Sequence, residues 1–181
     1  MSMKVFQSRK QMFAFFMPGF LFGILYVNLT AQNTFTSPGI FSESFLRQYE
    51  AAEVAAGIYL LYLIRVRVFP FLMLIGLSFT RVRKFSAGAF LAWTGLSCGI
   101  ILSMAVMEMG IKGIFFCVVG VLPQFLLYIP SYVVVLWYCW IYPQNKWNRE
   151  KTVFVVGTML GGILLEAYVN PTLVKGMLGM F

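Results

Sequence analysis

Apolar residues in this chain come in long runs separated by short polar or basic loops. "QMFAFFMPGFLFGILYVNL", residues 11–29, is the first run. It has about the 20 residues that a helix needs to cross a bilayer. No small-x-small cleavage site follows it, so it is expected to remain as an anchor. "FSAGAFLAWTGLSCGIILSMAVM" at 85–107, a longer run at 114–142 and "TVFVVGTMLGGILLEAYV" at 152–169 read as further spans. The loops between them are "TRVRK" at 80–84, "EMGIKG" at 108–113 and "PQNKWNREK" at 143–151.

Residues 43–80 are less regular. Glu43, Arg47 and Glu50 stand four and three apart, which makes one helical face polar. From Val54 onward the stretch is apolar except for Arg65 and Arg67. A straight helix from Val54 to Phe79 would measure roughly 39 Å, beyond a hydrocarbon core of about 30 Å. The pattern therefore predicts an amphipathic helix over 43–66 at the outer interface and a span over 67–80. The whole, residues 1–181, is then one all-α polytopic membrane domain of five spans: 11–29, 67–80, 85–107, 114–142 and 152–169.

Composition agrees. Sixty per cent of the 181 residues are hydrophobic and 11% charged, beyond the apolar share of an ordinary soluble domain. The net charge of +8 resides in short loops and forms no stripe with interleaved polar contacts, which argues against nucleic acid. Lys4, Arg9, Lys10, Arg81, Arg83, Lys84, Lys146, Arg149 and Lys151 share one side of a five-span chain. Arg47, Lys112, Lys175, Arg65 and Arg67 fall on the other. Nine against five predicts the N-terminus inside and the C-terminus outside.

Catalytic equipment is sparse. The chain has no histidine, and all six of its acids are glutamates. This removes Ser-His-Asp and Cys-His catalysis, His-based zinc sites and paired aspartates. Cys98, Cys117 and Cys139 lie inside apolar runs without metal-like spacing and read as small packing residues. Neither a cofactor nor enzymatic activity is expected.

Three features remain as candidates for contact. Gly19 and Gly23, Gly95 and Gly99, and Gly157 and Gly161 each stand four apart in a span, a spacing that lets a second backbone approach closely. They serve packing within the bundle or a face for self-association or a partner. The stretch "GVLPQFLLYIP", 120–130, carries Pro123 and Pro130, which leave the carbonyls of Val119 and Leu126 without their usual donors. Gln124 offers donors for a freed carbonyl. The overlong run 114–142 is thus expected to break, by kinking or by dipping and returning. Finally, Arg65 lies 16 residues before Arg81, and Glu166 lies 15 residues after Lys151. Both fall roughly 22–24 Å from the inner surface. Glu166 is expected to pair with Arg65 or Arg67, the alternative being that all three snorkel to the outer interface.

On three stretches the chain resembles the stage II sporulation protein M family of endospore-forming bacteria. "GIKGIFFCVVGVLPQFLLYIPSYVV", 110–134, is similar to the family's turn and proline-glutamine break with its second proline. "LEAYVNPTLVKGML", 165–178, with Glu166, Tyr168 and Pro171, resembles its C-terminal end, and "FLFGILYVN", 20–28, its first span. More distant members carry a histidine and a glutamate within the broken helix, where this chain has Gln124 and Tyr128. The resemblance implies a non-catalytic scaffold in the mother-cell membrane around the forespore during engulfment. It also implies assembly with stage II sporulation proteins D and P, a lytic transglycosylase and an amidase-endopeptidase. The rival expectation is a transporter or ABC-type permease subunit, since broken helices and intramembrane charges also build transport sites. An intramembrane enzyme ranks last.

Overall fold

The computed structural model describes residues 2–34, 41–51, 56–143 and 146–178. Among them are six helices: α1 (Ser2–Thr34), α2 (Glu43–Ala51), α3 (Ala56–Ser78), α4 (Arg83–Met109), α5 (Ile111–Ile141) and α6 (Arg149–Leu178). All but α2 contain a stretch long and apolar enough to cross a membrane. The protein is an all-α, multi-pass membrane helix bundle.

In hydrocarbon no hydrophobic drive brings helices together, so close backbone packing has to do it. The α1–α4 interface is built that way. A methyl group at Gly19 or Gly23 would overlap the carbonyl of Ala92 or Leu96. One at Gly95 or Gly99 would overlap that of Phe16 or Phe20. Residue numbers rise together along this interface, so α1 and α4 run parallel, backbone against backbone. The glycines of the first and third spans therefore face each other inside one chain. The third pair does not behave alike. Gly157 has nothing within 4 Å of an added methyl, and Gly161 meets only Leu127 Cδ1 at 3.1 Å. The close approach on α6 is at Gly162, where an added methyl would press into the ring of Tyr128.

Helices α4 and α5 form a hairpin about Gly110, whose φ of 63° is left-handed, a conformation that favours glycine. Helix α6 runs antiparallel to α5, and α3 packs against α4, α5 and α6. The start of α1 at Ser2 and the end of α6 at Leu178 thus lie at opposite ends of the bundle. Lys4, Arg9, Lys10, Arg81, Arg83, Lys84, Lys146, Arg149 and Lys151 all belong to one end, called here the basic end. Phe79, Tyr138, Tyr142 and Trp147 cluster there, and the Arg83 guanidinium lies 3.8 Å from the Tyr142 ring centre.

Three expected boundaries change. The amphipathic helix covers Glu43–Ala51 rather than 43–66, of which residues 52–55 lie outside the described residues. Residues 56–66 belong to the second span, a single helix to Ser78 with Arg67 and Pro70 within it. The 22 residues Gly57–Ser78 measure about 33 Å, a match to the hydrocarbon core without a separate interfacial piece. Secondly, α5 is one helix through Pro123 and Pro130, so the fourth span does not dip and return. Its 31 residues, about 46 Å long, exceed the core, which calls for tilt or for ends projecting past it. Thirdly, the fifth span does not stop at 169. Helix α6 carries on through Pro171 to Leu178.

Candidate functional site

Leu63, Arg67, Phe71, Leu74 and Ser78 recur at spacings of four and three, the stripe that α3 turns inward. Gln124, Tyr128, Ser131 and Val135 form the corresponding stripe of α5, and Val155, Met159, Gly162 and Glu166 that of α6. Where the three stripes meet, Arg67, Tyr128 and Glu166 come together.

One carboxylate receives every donor. Arg67 donates from Nε to Glu166 Oε2 at 2.9 Å and from Nη2 to Glu166 Oε1, a bidentate ion pair. Tyr128 donates its hydroxyl to Oε2 at 2.7 Å. The guanidinium carbon also lies 5.5 Å from the Tyr128 ring centre, within cation–π range. Glu166 is 4% exposed and Tyr128 likewise, whereas the Arg67 side chain keeps 35% of its surface open. An intramembrane charge costs roughly 2.5–3.5 kcal/mol by insertion scales, and here each offsets the other. Three helices are joined at one point as a result.

The pair is deep. Arg67 is eleven residues from either end of α3, about 17 Å from each, so it lies at mid-span rather than toward the outer face. Arg65 is not its substitute. Two residues away, it is turned about 200° round the helix and is exposed on the outside of the bundle.

Further polar contacts continue along α5 and α6. Toward the basic end, Ser131 Oγ and Thr158 Oγ1 are 2.6 Å apart. In the other direction Gln124 donates from Nε2 to the carbonyl of Gly120 at 2.7 Å. That is not the carbonyl freed by Pro123, which belongs to Val119. Gln124 Oε1 and Asn170 Oδ1 are buried without hydrogen-bond partners. Gly120 packs on Val174 and Tyr128 bonds Glu166, a register that sets Gln124 opposite Asn170.

The remaining candidates lie apart from this cluster. Tyr168 is exposed, Pro123 and Pro130 are half-buried on α5, and Pro171 is half-buried within α6. An apolar crevice of about 280 Å³ opens between α3 and α6 toward the basic end, lined by Val68, Phe71, Ile75, Val155, Met159 and Ile163 among others. Among the described residues no three His, Cys, Asp or Glu side chains converge to hold a metal ion.

Sequence reasoning missed Tyr128, Ser131 and Gly162. The spacing of Gln124, Tyr128 and Ser131, four then three, is the signal that marks one polar stripe in an apolar helix. What the cluster can do is hold: a carboxylate enclosed by three donors is positioned to fasten α3, α5 and α6. In comparisons with known proteins the chain matches no family model, no curated protein and no solved structure.

Proposed function

We propose that this protein is a non-catalytic membrane scaffold of the stage II sporulation protein M kind. In that role it holds peptidoglycan hydrolases, stage II sporulation proteins D and P, at the mother-cell membrane during forespore engulfment. The name rests on the resemblance at 20–28, 110–134 and 165–178. The observation that carries the scaffold reading is the Arg67–Glu166–Tyr128 cluster. Its charges are committed to one another, joining the second, fourth and fifth spans, and the backbone contact of α1 with α4 joins the first and third. Such a bundle suits an assembly platform better than a moving carrier.

The test is a crosslinked pull-down of the tagged full-length chain from sporulating cells, read by mass spectrometry. The proposal expects both hydrolases and no ATPase. Neither hydrolase recovered would overturn it.

One observation favours the permease reading. The ion pair lies midway along α3, the depth at which transporters place coupling sites. An ATPase recovered without hydrolases would move the assignment there, and Arg67→Ala should then abolish uptake in proteoliposomes.

A further inference from the structure

Arg65 stands where an arginine is hardest to explain. It faces away from the bundle, on a stripe of α3 completed by Phe69, Leu72 and Gly76 at spacings of four, three and four. Phe69 and Leu72 are 65% and 58% exposed, and nothing lies within 4 Å of a methyl added at Gly76. Among the described residues no hydrogen bond or ion pair reaches Arg65. It lies eight residues past Gly57, where the span begins among the described residues, about 12 Å along the helix. The side chain leans toward the N-terminal end of its helix, but its stem covers only about half that distance. Snorkelling along the helix therefore covers only part of that depth.

We infer that this stripe of α3 docks a membrane-spanning helix of another protein, and that a carboxylate within that helix pairs with Arg65. Charge complementarity sets the partner's chemistry, and the bare surface at Gly76 gives its backbone room for close approach. Among the described residues a second copy of this chain has no acid to supply. Of the six glutamates, Glu43, Glu50 and Glu53 precede α3, Glu108 closes α4 and Glu150 opens α6. Glu166, the one acid at comparable depth among the described residues, is buried against Arg67 and Tyr128. The docking site rests on the scaffold reading for the identity of the partner, and on Arg65 alone for its chemistry.

A photo-crosslinking residue placed at Leu61 or Leu72 of the full-length chain, in membranes of sporulating cells, tests this. The crosslinked peptide should be an apolar spanning segment that contains Asp or Glu. Arg65→Leu should cut its yield at least tenfold and Arg65→Lys should retain most of it, with detergent melting unchanged in both. Crosslinks to lipid alone would overturn the inference. So would a segment without a carboxylate, or a yield indifferent to Arg65→Leu. An Arg65-dependent acidic segment from a protein other than a hydrolase sustains the docking site and overturns the hydrolase assignment. Hydrolases in the pull-down without an Arg65-dependent crosslink do the reverse.

Discussion

Tyr128 reaches Glu166 across the α5–α6 interface with a 2.7 Å hydrogen bond, and it does so over a glycine. Gly162, one turn before Glu166 on α6, leaves room for the phenol ring to lie against the helix. Space and acceptor are thus supplied by two residues four apart on the same face. Arg67 approaches the same carboxylate from α3.

That shared acceptor predicts unequal losses. Tyr128→Phe removes one donor and should lower stability by about 1 kcal/mol. Arg67→Leu strands a buried carboxylate and should cost more, on the order of 3 kcal/mol. Glu166→Gln leaves an arginine that is one-third open to its surroundings, so its loss should fall between the two. The Arg67→Leu, Glu166→Gln double variant should lose less than the sum, because the two residues act as one pair. Unfolding in detergent, read as a double-mutant cycle, measures this, and additive losses would separate the two residues.

The glycines divide by what a methyl would meet. Gly95→Ala should weaken the α1–α4 interface by roughly 1–3 kcal/mol, since the methyl collides with backbone that cannot turn aside. Gly157→Ala enters open space and should be neutral or stabilising by up to about 1 kcal/mol through helix propensity. Melting of the two single variants compares them directly, and equal effects would refute the division.

These contrasts mark how far the sequence could be read. The spans were legible because a bilayer demands about 20 apolar residues each, and an acid so deep requires a partner, which brought Glu166 to the arginines of α3. Which arginine it takes was not legible, because two residues only two apart differ in facing rather than in depth. Spacing alone likewise could not tell Gly95, against a backbone, from Gly157, against nothing. Helix limits cannot be read from charges and prolines alone. Arg67 does not end the second span because Glu166 neutralises it, and Pro171 does not end α6.

Pro123 and Pro130 follow the same physics. A proline inside a helix loses one hydrogen bond and costs about 3 kcal/mol or more in water. In hydrocarbon, leaving the helix would expose far more unpaired backbone, so α5 carries on through both. Pro123→Leu and Pro130→Leu should therefore restore donors to an already continuous helix and raise the melting temperature. A lower one would mean that the prolines set a shape the bundle requires.

Gln124 and Asn170 carry the last prediction. Their side-chain oxygens are buried without partners, opposite one another in register, between two apolar helices. A buried unsatisfied acceptor forfeits its hydration and gains nothing in return, about 1–3 kcal/mol for a neutral group. Removing both groups removes that penalty. The Gln124 amide does donate to the Gly120 carbonyl, but a backbone carbonyl within a helix has a second donor in the N–H four residues on. The Gln124→Leu, Asn170→Leu double variant should thus melt at or above the temperature of the unmodified protein. Gln124→Glu, which adds a charge at 2% exposure, should melt well below it. If the leucine variant instead loses more than about 1 kcal/mol, the two oxygens must share a donor such as a bridging water. Oxygen-17 or proton-detected solid-state NMR of the protein in bilayers would then find that water between α5 and α6.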